Sequence, residues 1–212
     1  MTKVKICGIT NLEDARGAVS AGCDALGFVF FEKSPRNIRP EEARRIIAML
    51  PRRVEKVGVF CNARERTISG IVRKCGLTMV QLHGDESAGF CRRFKVPVIK
   101  AFRIKNKIDM AGIKRYNIFA YLFDTYHGRL RGGSGRVFDW SCIDVKAFDR
   151  PVFLAGGLTP DNVAAAVSSV GPAWVDASSS LETSPGRKDP RIVREFISRV
   201  READVRKDRE VS

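Results

Sequence analysis

Apolar and polar positions along the chain repeat in a regular unit. A short run of branched apolar residues is followed by a polar loop and then by a stretch with helical spacing, and the unit recurs about eight times. The runs predict strands at residues 4–7, 25–30, 54–60, 79–82, 98–102, 118–123, 152–154 and 173–176. No linker or low-complexity stretch interrupts the series, so we predict a single domain.

Helix-start signals stand in front of the apolar-periodic stretches between these runs. The clearest predicted helices cover 12–21 after Asn11, 40–50 from Pro40, 160–168 after Thr159 and 190–200 after Asp189. We expect the domain to span residues 1–200 and residues 201–212 to form a charged C-terminal tail that frays.

The alternation of strands and helices implies parallel strands, and nearly continuous apolar strands imply a sheet buried on both faces. Eight such units either close as a barrel or lie open and doubly wound. No G-x-G-x-x-G fingerprint follows an early strand, and residues capable of chemistry recur after several different strands. Both observations favour an α/β fold, a single (β/α)8 TIM barrel with parallel strands.

The chain has 38 Lys and Arg residues against 24 Asp and Glu residues, a formal net charge of +14. This excess is compatible with a solvated basic surface, with nucleic acid or with an anionic substrate. Much of it falls on predicted outer helix faces, and no recognised nucleic-acid-binding motif is evident. We therefore expect no nucleic-acid partner, although a nucleic-acid binder remains the alternative from another functional class. No apolar run of 18 residues occurs, so we expect no membrane span.

Six cysteines are spread singly along the chain, and none forms a CxxC pair. Free thiols and a cytoplasmic location are therefore expected rather than disulfides or zinc, and the first residues show no signal-peptide layout. His83 has no second histidine at metal-ligand spacing, so we predict no metal. The sequence leaves the oligomeric state open.

Residues at the ends of the strands are the candidates for an active site, because a barrel places its site at the carboxyl ends of its strands. Cys7 ends the first strand and Asp124 follows the sixth. A buried cysteine is commonly a small hydrophobic residue, and an aspartate after a strand commonly caps a helix. Position alone leaves both alternatives open.

Small residues follow the last two strands: Gly156 and Gly157 after the seventh, Ser178 and Ser179 after the eighth. In barrels of this type these loops commonly bind phosphate through backbone N–H groups and a helix N-terminus. Glycines also make tight turns, but two such loops in these positions favour phosphate binding. A third glycine-rich stretch lies at 132–135.

Motifs from residue 5 to residue 189 together resemble phosphoribosylanthranilate isomerase. They are KICGIT at 5–10, QLHGD at 81–85, FDT at 123–125, GGSG at 132–135, FDW at 138–140, GGL at 156–158 and PGRKD at 185–189. The resemblance implies conversion of N-(5-phospho-β-D-ribosyl)anthranilate to 1-(2-carboxyphenylamino)-1-deoxy-D-ribulose 5-phosphate by an Amadori rearrangement. This is the third step of tryptophan biosynthesis from chorismate.

The resemblance also implies residue roles, with Cys7 as the general base and Asp124 as the general acid. The other matched positions are Arg36 for the anthranilate carboxylate, His83 and Asp176 lining the site, and Gly156, Gly157, Ser178 and Ser179 for the phosphate. The implied partner is the small-molecule substrate, and no cofactor is expected.

Two positions depart from the family pattern: Ala155 stands where serine is usual, and Ser180 where glycine is usual. A serine adds a side chain where the backbone approaches phosphate or adopts positive φ, so we expect altered geometry at Ser180. The base must be a thiolate, a form that burial disfavours. Lys5 has the strand parity of Cys7 but lies deeper in the barrel, so we predict that it does not partner the thiolate.

Two related phosphate-binding barrels are the alternatives within the same fold. Indole-glycerol-phosphate synthase usually needs a lysine-and-glutamate site and a longer N-terminal segment. The histidine-pathway isomerase usually uses two aspartates, one of them on the first strand, where this chain has Cys7.

Overall fold

Eight parallel strands form a closed barrel in the computed structural model, which describes residues 1–104, 109–124, 140 and 143–211, without the side chains of 207–211. The strands pair in chain order, and the eighth closes the ring on the first. They are β1 Lys3–Cys7, β2 Ala25–Val29, β3 Glu55–Phe60, β4 Met79–Leu82, β5 Val98–Arg103, β6 Ala120–Asp124, β7 Val152–Ala155 and β8 Trp174–Ala177. The predicted TIM-barrel fold is confirmed.

Helices connect the strands, and their lengths differ widely. They are α1 Leu12–Ser20, α2 Pro40–Ala48, α3 Glu65–Cys75, α4 Ala88–Cys91, α5 Met110–Lys114, α6 Pro160–Val170 and α7 Pro190–Val211. Asn11 accepts a hydrogen bond from the N–H of Asp14, and Thr159 forms a capping box with Asn162, as their sequence signals predict. Within the described ranges, no helix is both long enough and apolar enough to cross a membrane.

The barrel interior is filled by side chains from alternate strand positions. The rings of Phe153 and Trp174 stack there with centroids 4.7 Å apart. Strand β1 is different, because two of its inward positions are Lys5, which is fully buried, and Cys7 above it. A buried ammonium requires an anionic or hydrogen-bonding partner. The lysine in β1 therefore indicates a polar interaction inside the barrel in addition to apolar packing.

Helix α7 continues to Val211, whereas the sequence pattern predicts its end at residue 200. Asp204 accepts hydrogen bonds from the backbone N–H and the hydroxyl of Thr2, at 2.7 and 2.8 Å. Arg201 donates to the carbonyls of Thr2 and Gly22 and to the carboxylate of Asp24. These contacts tie the helix to the amino end of the barrel, so residues up to Asp204 belong to the barrel rather than to a frayed tail.

A two-stranded hairpin follows β8 and a short 3-10 turn, Ser179–Leu181, and the sequence pattern does not predict it. Its strands are β9 Glu182–Ser184 and β10 Arg187–Lys188. Gly186, with a φ of +81°, makes the turn between them. The hairpin brings Glu182 and Lys188 to the mouth of the barrel.

Candidate active site

One cavity of about 570 Å³ opens at the carboxyl ends of the strands. Nine residues predicted for the site line this cavity, namely Cys7, Arg36, His83, Asp124, Gly156, Gly157, Asp176, Ser178 and Ser179. A smaller pocket of about 240 Å³, between α1 and the β9–β10 hairpin, contains none of them. The structure therefore brings the predicted residues together, while their chemical roles stay predictions.

Cys7 is the last residue of β1, and its sulfur lies against β2. A Cβ at Gly27, its partner on β2, would lie 2.7 Å from the Cys7 Sγ, so the glycine leaves space that the sulfur occupies. Gly8 follows with a φ of +82°, and a Cβ there would lie 2.6 Å from the Cδ of Arg36. Gly8 thus provides both the backbone turn and the room in which Arg36 crosses the end of β1.

Lys5 lies one layer below Cys7 and forms an ion pair with Asp176 on β8. Its Nζ donates to the Oδ2 of Asp176 at 2.6 Å. Burial lowers the pKa of Lys5, but the charges of Asp176 and Cys7 outweigh it, and the net pKa is raised. Burial likewise raises the pKa of the Cys7 thiol, and the charge of Lys5 is the largest effect that lowers it. The prediction that Lys5 does not partner the thiol left out its charge, which favours the thiolate from one layer below even though its ion pair is with Asp176.

Arg36 is held by an acidic residue that the motifs do not mark as functional. Its Nε and Nη2 donate to the carboxylate of Glu182 at distances from 2.6 to 3.1 Å. The Nζ of Lys188 donates to the same carboxylate at 2.8 Å. Burial alone would raise the pKa of Glu182, but the hydrogen bonds from Arg36 and Lys188 lower it. Glu182 is therefore an anion that fixes both cations at the cavity wall.

A chain of polar contacts links β4 to β6 across the mouth. The Nε2 of Gln81 lies 2.9 Å from the Nδ1 of His83, whose Nε2 lies 3.2 Å from the Oδ2 of Asp124. With the Gln81 amide donating, a neutral His83 carries its proton on Nε2 and donates to Asp124. Gln81 joins the candidate site because it precedes His83 by two residues and faces the same cavity.

The loops after β7 and β8 form another wall of the cavity. Gly156 and Gly157 have φ values of +93° and +70°, a conformation that residues with side chains rarely adopt. The side-chain amide of Asn162, at the start of α6, donates to the carbonyl of Gly157 at 3.0 Å and fixes the loop against its helix. The third glycine-rich stretch, at 132–135, lies outside the described residues.

Serine hydroxyls connect the strand ends and the loops. Ser178 donates to the carbonyl of Cys7 at 3.0 Å and so joins the ends of β8 and β1. Ser180 donates to the carbonyl of Leu158 in the neighbouring loop. Among the described residues, Asn62 alone has a positive φ without being glycine, so of the two reasons for a glycine at position 180 a positive φ does not apply. Serine fits there because the residue lies in a 3-10 turn.

Comparisons with known proteins agree on one family. A family model described as N-(5'phosphoribosyl)anthranilate (PRA) isomerase matches residues 4–199. The N-(5'-phosphoribosyl)anthranilate isomerase of Geotalea uraniireducens (strain Rf4) is 50% identical over 201 residues, which cover 95% of this chain and 99% of that protein.

Two solved structures are similar over the same range. The phosphoribosyl anthranilate isomerase of Thermotoga maritima has a TM-score of 0.88 and 45% identity, covering 95% of this chain and 100% of that chain. A structure of phosphoribosyl anthranilate isomerase in complex with reduced 1-(o-carboxyphenylamino)-1-deoxyribulose 5-phosphate has a TM-score of 0.86 and 42% identity, with the same coverage.

Proposed function

The chain belongs to the N-(5'phosphoribosyl)anthranilate isomerase family, and from this premise we propose that Cys7 and Asp124 act as the base and the acid of an Amadori rearrangement. It is an isomerase of tryptophan biosynthesis with a small-molecule substrate. The observation that carries the residue assignment is that both side chains line one cavity from β1 and β6. Because β7 and β8 separate these strands, the two groups approach a bound sugar from different sides.

The rearrangement needs an acid at the furanose ring oxygen and a base at C2 of the ribose. Asp124 donates a proton to the ring oxygen while the aniline nitrogen forms a Schiff base with C1, and the ring opens. The Cys7 thiolate then removes the proton from C2 and gives an enolamine. The enolamine gains a proton at C1 and loses the proton of its C2 hydroxyl, which gives the ketone. The protons gained at the ring oxygen and C1 equal those lost from C2 and its hydroxyl, so substrate and product are isomers.

Arg36 is our assignment for the anthranilate carboxylate. Glu182 occupies its Nε and Nη2, and no hydrogen bond within the described part of the chain engages its Nη1. An Arg held on one edge by a carboxylate presents its remaining donors in a fixed direction. The reduced product bound by the similar protein carries a carboxyl and a phosphate group.

The loops after β7 and β8 are our assignment for the phosphate. Gly156 and Gly157 carry no side chains between the backbone and the cavity, and α6 begins just beyond them. Ser178 and Ser179 complete this wall of the cavity from the end of β8. Backbone N–H groups and the N-terminus of a helix favour a phosphate dianion.

Asp176 is our assignment for a ribose hydroxyl. Lys5 donates to the Oδ2 of Asp176, while the Oδ1 of Asp176 is buried without a hydrogen-bond partner among the described residues. A buried acceptor without a donor costs about 1–3 kcal/mol, and a sugar hydroxyl supplies such a donor. The Oε1 of Gln81 is likewise buried without a hydrogen-bond partner among the described residues, and it is our second candidate acceptor for a ribose hydroxyl.

Turnover of freshly prepared phosphoribosylanthranilate, followed by the loss of its fluorescence, tests the assignment of the acid. Asn at position 124 keeps the size of the side chain but cannot supply the acidic proton. We expect Asp124→Asn to lower kcat by about 10²–10⁴-fold with little change in KM. The control is Asp144→Asn, which changes the cap of the 3-10 turn Val145–Ala147 and should keep wild-type kcat. Wild-type kcat in Asp124→Asn would remove Asp124 as the acid.

A further inference from the structure

The proposed base lies in a cluster of charged side chains, the Cys7 cluster, whose charges do not balance while its thiol is neutral. The cations of the cluster are Lys5, Arg36 and Lys188, and its carboxylates are Asp176 and Glu182. Asp176 pairs with one cation, whereas Glu182 is shared by two. Within the described part of the chain, the cluster thus has one positive charge more than it has negative charges.

We propose that Lys5, held in place by Asp176, is a positioning residue whose charge favours the thiolate form of Cys7. The inference rests on the proposed function, because it takes Cys7 to be the base. A thiolate at Cys7 supplies the one negative charge that the Cys7 cluster lacks.

The barrel register gives Lys5 a fixed place beneath the sulfur. Lys5 and Cys7 are two residues apart on β1, so their side chains face the same side of the strand. Lys5 is paired in register with Asp176 on β8, and Cys7 with Gly27 on β2. The ion pair joins a fully buried ammonium to a carboxylate that is 7% exposed, which holds the Nζ in one position. In such a poorly solvated place, a charge acts strongly on its neighbours.

Opposing effects act on the Cys7 thiol. Burial is the largest, and it raises the pKa; the charges of Lys5 and Lys188 lower it, and the charge of Asp176 raises it. The net pKa lies above the ordinary value, and Lys5 is the strongest of the effects that favour the thiolate. Removing the Lys5 charge should therefore raise the pKa further.

Other ionisable side chains face the same cavity from the surrounding elements. They are Arg36 from the β2–α2 connection, His83 after β4 and Asp124 at the end of β6. Behind Arg36, on the hairpin, lie its partner Glu182 and Lys188, which donates to Glu182. These groups keep their partners in a variant of Lys5, whereas Asp176 loses the cation with which it is paired.

The test reads the thiol directly and needs no substrate. The rate at which iodoacetamide alkylates Cys7 is followed across pH by mass spectrometry of the peptide that contains it. Lys5→Met removes the charge but keeps a long side chain. We expect the midpoint of alkylation to rise by at least about one pH unit, a roughly tenfold lower thiolate fraction at neutral pH. We expect kcat/KM at neutral pH to fall by a similar factor.

Lys56→Met is the matched control, because Lys56 is also a buried strand lysine but donates to the carbonyl of Pro51 at the opposite end of β3. It should leave the Cys7 midpoint unchanged. An unchanged midpoint in folded Lys5→Met would overturn the inference, even if turnover fell. A shift as large in Lys56→Met as in Lys5→Met would overturn it too.

A second measurement keeps the test valid if Lys5→Met does not fold, since the substitution leaves Asp176 without its partner. In the unaltered protein, the ¹⁵N resonance of the Lys5 Nζ should inflect at the alkylation midpoint of Cys7, and Cys7→Ser should remove that inflection. No inflection in the unaltered protein would overturn the inference. Failure of the proposed function looks different, because Cys7→Ser would then keep wild-type turnover whatever the Lys5 results.

Discussion

The two ends of the barrel use similar polar residues in different ways. At the amino end, each carboxylate oxygen of Asp204 accepts a hydrogen bond from Thr2, and Arg201 donates to two carbonyls and to Asp24. At the mouth, the Oδ1 of Asp176 and the Oε1 of Gln81 are buried without partners among the described residues.

We propose that this difference distinguishes the end that holds the fold together from the end that binds the substrate. Buried polar groups in proteins are nearly always hydrogen-bonded, because leaving one unpaired costs free energy. Unpaired acceptors that line an open cavity are therefore best explained by a ligand that carries the donors. At the amino end the carboxylate of Asp204 and the guanidinium of Arg201 have partners, so we expect substitutions there to change stability rather than catalysis.

The largest expected effect compares a cysteine at each end. Cys7 lines the cavity, whereas Cys23 precedes β2 at the amino end and burial raises its pKa to about 12. We expect Cys7→Ser to lower kcat by about 10²–10⁴-fold with little change in KM. The reason is that a serine hydroxyl stays protonated near neutral pH and is a far weaker base than a thiolate. Cys23→Ser should keep kcat near the wild-type value. Similar losses in both variants would contradict the separation of the two ends.

The next effect concerns binding at the mouth. Lysine at position 36 keeps the positive charge of Arg36 but loses its planar set of donors. We expect Arg36→Lys to raise KM by about 10-fold or more, since a charge-assisted hydrogen bond contributes about 1.5–3 kcal/mol, with a smaller change in kcat. Steady-state kinetics measures both values. Arg39→Lys is the control, because Arg39 is exposed and pairs with Glu42. An unchanged KM in Arg36→Lys would remove Arg36 from carboxylate binding.

The smallest effect on catalysis is expected at the amino end. Asp204→Ala removes two buried hydrogen bonds to Thr2. We expect the free energy of unfolding to fall by about 2 kcal/mol and Tm to fall by about 4–8 °C. At 25 °C, kcat should stay at the wild-type value. Thermal unfolding and turnover of the same preparation measure both, and a large loss of kcat in the folded variant would show that the two ends are coupled.

The strands could be predicted from the sequence because a strand buried on both faces carries an almost continuous apolar run. Strand β4, Met79–Leu82, has the predicted bounds. The contact between Lys5 and Asp176 could not be predicted in this way, since the residues are 171 positions apart and meet only when β8 closes on β1. The position of a lysine within an apolar run predicts which face of the strand its side chain is on. It does not predict the partner that allows the lysine to be buried.

Short polar elements escaped prediction for a related reason. The strands of the hairpin have three and two residues, too few for a hydrophobic period to be visible. Their importance comes from Glu182, whose partner Arg36 lies 146 positions away in the sequence. The extension of α7 is similar, because it depends on contacts of Arg201 and Asp204 with Thr2 at the other end of the chain. In each case, the decisive interaction is made across the closed barrel.

The pH dependence of kcat/KM in Asp124→Asn tests the acid–base pair most directly. In the unaltered protein, rising pH charges the base and removes the proton of the acid, so the two effects oppose each other. Asn at 124 leaves only the base to titrate, and burial holds the pKa of Cys7 above its ordinary value. We therefore expect kcat/KM of this variant to rise about tenfold per pH unit between about pH 7 and 8.5. A value independent of pH over that range would contradict this expectation.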